Sequence, residues 1–425
     1  MSLRNRELVF LIPALVVTTL GFALVYTQKS AELTLTSLTY GALFLALFVI
    51  AHLGVRLLAS RADCYLLPIT ALLSTMGLVV LYRLNEDLAL KQAMWLVAGL
   101  AVFLLVLAFV RNLNMLYKYR YVIGGLGLLL LLLTAVLGRE VHGARLWVNL
   151  GPIGFQPGEL AKVFLMVFFA AYLVDMREVL TVSTRRVLGV PLPPFRYLAP
   201  LLIIWGLSLA LMIFVKDLGA SLLFFGALLA LLYVATGRFF YVLVGLALFA
   251  IGAIALYFLF PHVQLRVDIW LDPWADPSNR GYQIVQSLFA LAEGGLFGRG
   301  LGGGYLFLPS GRTIIPHLET DFVFSAIGEE LGLVGAVGII LLYLIFTYRG
   351  FRVAVSTKDD FSRLLATGLT SIFALQAFLI IGGVIKLIPL TGITLPFVSY
   401  GGSSILANFI LLALLLRASA KAREV

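Results

Sequence analysis

The 425-residue sequence has a single cysteine, Cys64, and few charged residues. One cysteine excludes an intrachain disulfide and a metal site built from several thiolates. Charged residues make up 12% of the chain, whereas soluble globular proteins carry roughly 25%. No A-x-A cleavage pattern follows the first apolar stretch, so that stretch is predicted to be a retained helix and not a signal peptide.

The sequence is rich in hydrophobic residues, which make up 61% of the chain. Its mean hydropathy is +1.05. Many of them fall in runs long enough to cross a hydrocarbon core of about 30 Å. These runs cover residues 7–26, 37–59, 65–84, 92–110, 119–137, 157–174, 198–215, 219–235, 239–260, 322–348, 361–385 and 400–417. The sequence therefore predicts an all-α polytopic membrane protein with about twelve transmembrane helices.

The distribution of positive charge predicts how these helices are oriented. The formal net charge is +10, and most of the 31 lysines and arginines fall on one side of the membrane when the N-terminus is cytoplasmic. This asymmetry follows the positive-inside rule and places both termini in the cytoplasm. The same loops lack the interleaved aromatic residues of a nucleic-acid platform, so contact with anionic lipid is favoured and no nucleic-acid partner is predicted.

Polar sequence accumulates outside the membrane in two segments, residues 138–157 and a loop at 261–321. In the loop, GYQIVQSLFALAEGG has the spacing of a short helix lying on the bilayer, and the following GRGLGGG is predicted to turn the chain. The ionisable residues lie at the outer ends of the helices and not near the midplane, where a secondary transporter concentrates them. Any chemistry is therefore predicted at the outer surface.

Asp321, at the end of this loop, is the first functional candidate, because a carboxylate at a membrane boundary is costly to keep. Ser325, Gly328 and Gly332 follow it along one predicted helical face. Two interpretations of this small-residue stripe remain open: tight helix packing, or the floor of a groove that admits a lipid chain. Asp321 has the alternative role of capping the tenth span. The neighbouring Glu329 and Glu330 are predicted to brace an adjacent helix.

Three further segments place charged residues at the outer ends of helices. Glu159 and Lys162 are spaced to pair within the membrane, either as a structural ion pair or as substrate ligands. Asp217 is predicted to cap the eighth span, which leaves Lys216 free to face an anion. Lys386 precedes a segment rich in proline and glycine, which membrane proteins tolerate where it lines a cavity or is buried in protein.

Several of these blocks resemble the SEDS family, which includes RodA, FtsW and SpoVE. The matching stretches are GARLWVNLGPIGFQPGELAK, VKDLGASLL, HLETDFVFSAIGEELG and LIPLTGITLPFVSYGGSS, in the family's order across about residues 65–417. The resemblance implies a ten-helix core at 61–425, including the extracellular loop 261–321, and two additional helices at 1–60. It also implies a location in the bacterial cytoplasmic membrane. We favour the elongation branch, RodA, over the division and sporulation branches.

The resemblance implies a peptidoglycan glycosyltransferase that polymerises lipid II together with a class B penicillin-binding protein and other elongation or division proteins. Asp321 then corresponds to the catalytic acid of the family, as a general base for the attacking sugar hydroxyl. Glu319, Glu329, Glu330, Gly328 and Gly332 are assigned to the structure around it. The predicted substrate-binding residues are Arg145, Glu159, Lys162, Lys216, Asp217, Lys386 and Ser403. A divalent cation, Mg²⁺ or Mn²⁺, is a candidate cofactor, and no organic cofactor is expected.

Two other functions remain open at this point. A flippase for the same lipid-linked precursor would share the charged cluster, but it should also place charges along a path through the bilayer. A non-catalytic scaffold for the crosslinking enzyme would tolerate the loss of Asp321. Transport and polymerisation assays separate these alternatives.

Overall fold

The computed structural model describes residues 2–30, 35–141, 144–150, 153–181, 185–187, 190–192 and 195–422, and these ranges are mostly helical. The helices are α1 Leu3–Ser30, α2 Leu35–Leu58, α3 Leu66–Leu84, α4 Glu86–Phe109, α5 Asn114–Lys118, α6 Arg120–Leu137, α7 Pro157–Thr181, α8 Phe195–Phe214, α9 Leu218–Thr236, α10 Phe239–Leu259, α11 Pro261–Leu271, α12 Tyr282–Gly294, α13 Val323–Ser356, α14 Asp360–Val384 and α15 Gly402–Ala422. Each of the twelve predicted spans coincides with one of them.

Ten helices within the described ranges are long and apolar enough to cross a membrane. They are α1 to α4, α6, α9, α10 and α13 to α15, with α1 and α2 counted over their described portions. The predicted spans at 157–174 and 198–215 are the helices α7 and α8, which are not among the ten; α8 contributes a shorter apolar helix, Ala199–Phe214. The prediction of a polytopic all-α membrane protein is confirmed.

The helices differ in how deeply they lie in the bundle. More than four fifths of the spanning stretch is buried in α3, α14 and α15, against 6% in α10. The first three therefore form the centre, and α10 presents its apolar side chains outward, as a lipid-facing helix does. Close approach at the centre requires small residues: a Cβ on Gly77 of α3 would lie 2.4 Å from the carbonyl oxygen of Val398.

The first two helices pack against the rest of the bundle. Thr18 of α1 and Thr75 of α3 share a buried hydrogen bond between their hydroxyls, 3.0 Å apart. Near the start of α1, the buried carboxylate of Glu7 contacts Arg4 and the Nδ1 atom of His52 on α2, the latter at 2.6 Å. Arg4 also donates to the carbonyl oxygen of Ala62. These contacts tie α1 and α2 to each other and to the connection before α3.

Short strands occur in two loops. In the outer segment, β1 Arg139–Val141, β2 Ala144–Leu150 and β3 Ile153–Phe155 form an antiparallel sheet in the order β1-β2-β3. Between α7 and α8, β4 Arg185–Val187 pairs with β5 Val190–Leu192. The sequence analysis placed no strands here. Hairpins this short have no apolar run long enough to stand out in a hydrophobic sequence.

The large outer loop contains α11, a short 3-10 helix at Pro273–Ala275, and α12. The helix expected in this loop is therefore present as α12, and one face of it is buried. Its predicted position on the bilayer stays a prediction. The glycine-rich turn is confirmed as well, because Gly298, Gly300 and Gly302 all have positive φ, where a side chain is strained. This turn brings the chain back across the first turns of α13.

The contact between α12 and α13 explains the small-residue stripe. A Cβ on Gly294 of α12 would lie 1.9 Å from the carbonyl oxygen of Gly328, and a Cβ on Gly332 would lie 2.3 Å from the amide nitrogen of Gly298. Gly332 also breaks the helical conformation, with φ 66° and ψ −167°. Of the two interpretations of this stripe, the structure favours tight helix packing, because protein backbone already covers this face beneath Asp321.

Candidate active site

Asp321 lies in the turn before α13. Its amide donates to the carbonyl oxygen of His317 at 3.1 Å, and the helix begins two residues later, with Phe322 at the capping position. The alternative in which Asp321 caps this helix is therefore wrong. The carboxylate is partly exposed, and burial raises its pKa, although Thr320, His317 and Arg266 act in the opposite direction. A raised pKa makes a carboxylate a stronger base.

Arg266 of α11 approaches Asp321 across Gly392. A Cβ built on Gly392 would lie 3.6 Å from Asp321 Oδ2 and 3.6 Å from Arg266 Nη2. The guanidinium is fixed by the same segment, since its Nη1 donates to the carbonyl oxygens of Leu390 at 3.2 Å and Thr391 at 2.8 Å. Burial lowers the pKa of Arg266, and the charges of Asp321 and Asp217 oppose that effect. A fixed cation and a carboxylate thus face the same small space.

Asp217 caps α9, as the sequence predicted. Its carboxylate accepts a hydrogen bond from the amide of Ala220 at 2.9 Å. Burial raises the pKa of Asp217 to about 6; the charge of Glu159 adds to the rise, while Arg266 and Lys162 act against it. These charge effects show that a second carboxylate lies near the Arg266 guanidinium and the Glu159–Lys162 pair.

Glu159 and Lys162 form the buried ion pair that their spacing allows. Lys162 Nζ lies 2.7 Å from Glu159 Oε2 and donates to Gln376 Oε1 of α14 at 2.6 Å. The Lys162 residue is 3% exposed. Both of these contacts fix the ammonium group inside the bundle, so the geometry favours the structural interpretation of this pair.

The other predicted substrate ligands are spread over the outer face. Arg145 is half exposed beside Glu140, with 3.7 Å between Nε and Oε2. Lys386 reaches the carbonyl oxygen of Leu271 at 3.4 Å, and the exposed Lys216 acts on the pKa of His262. Among the described residues, no hydrogen bond or ion pair links Arg145, Lys216 or Lys386 to Asp321.

Ser403 does not reach the surface of the site. The residue is 2% exposed, and its hydroxyl accepts a hydrogen bond from the amide of Gln156 at 2.8 Å. This bond joins the start of α15 to the start of α7. In this structure Ser403 holds two helix ends together, which differs from the predicted role in substrate binding.

Of the two glutamates predicted to brace an adjacent helix, Glu330 contacts such a helix, whereas Glu329 contacts the outer loop. Glu330 pairs with Arg83 of α3, with 3.1 Å between Oε1 and Nε, and Glu329 accepts a hydrogen bond from the amide of Tyr305. The carbonyl oxygen of Glu319 accepts from the amide of Tyr400 at 2.9 Å. The turn that carries Asp321 is therefore attached to the segment before α15.

An apolar cavity of about 640 Å³ opens beside this site. It lies between α8, α9, α10, α11 and α14. Its lining includes Trp205, Leu209, Phe225, Phe249, Gly252, Leu256 and Phe378, with Arg266 and Thr391 among the few polar residues. The Thr391 hydroxyl is buried without a hydrogen-bond partner in the described part of the chain. The cavity lining is therefore largely apolar, and Arg266 and Thr391 bring polar groups to it.

Sequence reasoning missed Arg266, Thr391 and Gln376 as parts of the site. Arg266 was visible as one of several charged residues in the outer loop, but nothing in its local sequence distinguishes it from Arg280 or Arg299. Its partners lie in a segment far along the chain that has no helical or strand periodicity. Spacing rules operate within one element, so they gave no signal for this contact.

The sequence is similar to those of known proteins. A family model for FtsW, RodA and SpoVE, described as cell cycle protein, matches residues 61–424. A peptidoglycan glycosyltransferase RodA of Mycobacterium tuberculosis is 46% identical over 434 residues, which is 99% of this chain and 91% of the relative. A probable peptidoglycan glycosyltransferase FtsW of Geobacter metallireducens is 32% identical, over 85% of this chain and 95% of the relative.

Solved structures share the fold. One, described as "Structural coordination of polymerization and crosslinking by a peptidoglycan synthase complex", superposes with a TM-score of 0.69 at 29% identity, covering 86% of this chain and 99% of the other. A crystal structure of the Rod shape determining protein RodA of Thermus thermophilus gives a TM-score of 0.58 at 28% identity, covering 85% and 98%. The family match spans most of the chain, and the chain therefore belongs to the FtsW, RodA and SpoVE family.

Proposed function

We infer that Asp321 is the general base of this protein, which is a peptidoglycan glycosyltransferase of cell-wall synthesis. The observation that supports this role is the meeting of Asp321 and Arg266 across Gly392, together with the apolar cavity that Arg266 also lines. A base of raised pKa and a fixed cation are the two groups that a glycosyl transfer from a phosphate ester requires. The named activities of the relatives support the reaction class.

The proposed substrate is lipid II, a disaccharide joined through pyrophosphate to a polyprenyl chain. Part of the polyprenyl chain would occupy the apolar cavity, whose lining is dominated by aromatic and aliphatic side chains. The pyrophosphate would then lie beside Arg266 and Thr391. Both could donate hydrogen bonds to it, and the Thr391 hydroxyl has no other partner among the described residues. Burial strengthens an interaction between a guanidinium and a phosphate, because few water molecules compete for it.

In the proposed reaction, a hydroxyl oxygen of the acceptor sugar attacks the anomeric carbon of the donor. Its proton moves to a carboxylate oxygen of Asp321 as the new carbon–oxygen bond forms. The bond between the anomeric carbon and the pyrophosphate oxygen breaks, and the lipid pyrophosphate leaves with the electron pair. Arg266 stabilises the charge that develops on this leaving group, which is where a preorganised donor accelerates the reaction most.

This geometry changes the assignment of the cations. Lys162 is occupied by Glu159 and Gln376, so we assign it to the structure. Arg266 takes the central place near the pyrophosphate. We propose the exposed Lys216 as a second cation for the anionic headgroup. We propose that Arg145 and Lys386 meet the headgroup during its approach.

The divalent cation expected from the resemblance remains a prediction. Within the described ranges, no group of three or more His, Cys, Asp or Glu residues is placed to hold a metal ion. Mg²⁺ is often held by one or two carboxylates together with substrate phosphates, and this donor set differs from a protein cage. We therefore assign no step to a metal ion.

The proposed partner is a class B penicillin-binding protein that crosslinks the glycan. A solved structure similar to this chain is described as a peptidoglycan synthase complex that coordinates polymerization and crosslinking. Polymerisation and crosslinking require the same glycan strand, so a complex of the two enzymes is the expected assembly. We place the protein in the bacterial cytoplasmic membrane with both termini inside, in the elongation branch of the family.

Reconstitution in liposomes tests this function against the two alternatives. The purified protein, with its partner transpeptidase, receives fluorescent lipid II in the bilayer. The expected result is glycan polymer on gels, with no faster exchange of lipid II between leaflets than protein-free liposomes show. Accelerated exchange without polymer would favour a flippase. Polymer formation that depends on the partner and is unchanged by Asp321→Asn would favour a scaffold.

A further inference from the structure

Gln376, on the buried helix α14, uses both ends of its side-chain amide. The residue has no exposed surface. Its oxygen accepts a hydrogen bond from the ammonium of Lys162 at 2.6 Å, and its nitrogen donates to the carbonyl oxygen of Thr394 at 2.8 Å. A glutamine can accept and donate at once without titrating, which a carboxylate or an ammonium cannot do.

Thr394 belongs to the irregular segment between α14 and α15, which also contains Thr391 and Gly392. Because this segment has few regular backbone hydrogen bonds, side chains from the surrounding helices hold it. Gln92 of α4 donates to the carbonyl oxygen of Ser399 at 3.0 Å, and Tyr343 of α13 donates to that of Pro396 at 2.6 Å. Of these three attachments, Gln376 is nearest in sequence to the carbonyl of Thr391 that fixes Arg266.

The side-chain oxygen of Gln376 contacts a charged group that is itself held in place, the ammonium of Lys162. Lys162 is held by Glu159 of α7 at 2.7 Å, so the ammonium has little freedom to follow a moving partner. Asp217 at the start of α9 is the other acidic group near this pair, since both Glu159 and Lys162 act on its pKa. The Gln376 amide thus connects a buried charged cluster to the backbone beside Asp321.

We propose that Gln376 is a positioning residue for glycosyl transfer, which sets the Thr391–Gly392 backbone, and through it the Arg266 guanidinium, relative to Asp321. The proposal rests on the function proposed above. Loss of the hydrogen bond to Thr394 lets this segment shift, and a catalytic donor displaced by a fraction of an ångström loses much of its effect on the transition state. Substrate binding through the apolar cavity is changed much less, so the effect falls on kcat and not on KM.

Gln376→Glu provides the decisive test. The introduced carboxyl group keeps an oxygen for Lys162, but it can donate to the Thr394 carbonyl only when it is protonated. We expect kcat to fall on the order of tenfold at pH 8, the cost of one lost buried hydrogen bond, with KM changed by less than about twofold. The ratio of variant to wild-type kcat should rise as the pH falls from 8 to 6.

Two further variants complete the experiment. Gln376→Leu removes both hydrogen bonds and should lower kcat by a factor that does not change with pH. Ser371→Ala, on the same helix, removes a buried hydroxyl that has no hydrogen-bond partner in the described residues, and should leave the pH profile unchanged. Monodispersity and thermal unfolding establish that each variant is folded. If the Gln376→Leu variant is not folded, the pH profile of Gln376→Glu alone tests the proposal.

A variant-to-wild-type ratio for Gln376→Glu that stays flat with pH would overturn the proposal, as would full kcat in a folded Gln376→Leu. These failures are separate from a failure of the proposed function. If only the positioning role of Gln376 is wrong, wild-type protein forms polymer and the variants lack the expected profile. If the proposed function is wrong, the wild-type protein itself forms no polymer.

Discussion

Arg266 and Asp321 face each other across Gly392, and the two side chains come from opposite ends of the outer loop. The guanidinium is held by the carbonyl oxygens of Leu390 and Thr391, while the backbone of Asp321 is held in the turn at His317. The two groups therefore keep their places without having to form a direct ion pair. This arrangement leaves both available to a substrate that enters between them.

The raised pKa of Asp321 predicts an acid limb in the rate of polymerisation. A general base acts in its ionised form, so kcat should fall as the pH decreases through the pKa of Asp321, which burial places above the ordinary value of 3.8. Asp217, with a pKa of about 6, titrates nearby. If Asp321 causes the fall of kcat at low pH, that fall should remain in the Asp217→Asn variant. Its disappearance in this variant would contradict the assignment to Asp321.

Replacing Arg266 should move this limb and slow the reaction. Removing a positive charge disfavours the carboxylate form of Asp321, so its pKa rises and the limb shifts to higher pH in Arg266→Gln. Loss of a donor to the leaving group should also lower kcat/KM by about 10²-fold or more. Arg280→Gln is the matched control, because Arg280 is an exposed arginine of the same loop. Equal profiles in the two variants would contradict a role for Arg266.

Gly392→Ala tests the space between the two groups. Gly392 has φ +69°, and its added Cβ would enter the gap between Asp321 and Arg266. Gly237, which ends α9 with φ +67° and has no atom within 4 Å of such a Cβ, provides the matched control. Both variants should lose about 1 kcal/mol of stability from backbone strain. Gly392→Ala alone should lose polymerase activity, by at least about tenfold.

The outcome of that pair of variants is informative in either direction. Equal stability losses with unequal activities would locate the effect in the gap between the charged groups. Equal activities would show that the space beside Gly392 is not used by the substrate. Thermal unfolding and polymerisation rates in the same detergent provide both measurements.

The apolar cavity predicts a dependence on the length of the lipid chain. Gly252 of α10 lines the cavity, so Gly252→Trp should fill part of it and raise KM for lipid II with a long polyprenyl chain by about tenfold, and less for a short-chain analogue. Gly206→Trp on α8 is the control, since Gly206 also has open space around it and is not among the residues that line the cavity. A uniform effect on both substrates would argue against binding of the chain there.

Much of the fold is predictable from this sequence, because a segment that crosses lipid must satisfy its backbone internally and long apolar runs can do so as helices. The cap at Asp217 and the turn at Gly298 to Gly302 follow from local chemistry in the same way. Each of these features depends on residues close together in the chain. Their physical causes are therefore visible before folding is considered.

The site was less predictable, because it depends on contacts between distant segments. A stripe of small residues after Asp321 fits a lipid groove and a helix contact equally well. In the structure, the backbone at Gly294 and Gly298 packs against this stripe, so it is a helix contact. The apolar cavity lies instead where residues from five other helices converge without a sequence motif. Asp321 itself is predictable from the sequence, because a carboxylate at a membrane boundary costs free energy and is therefore a functional candidate.

The most direct test of the account is polymerisation by folded Asp321→Asn protein. Asparagine preserves the size of the side chain and removes the base, so the proposed mechanism predicts a loss of kcat of at least about 10²-fold, with monodisperse protein and nearly unchanged binding of lipid II. Polymer formation at the wild-type rate by this variant would contradict the central claim.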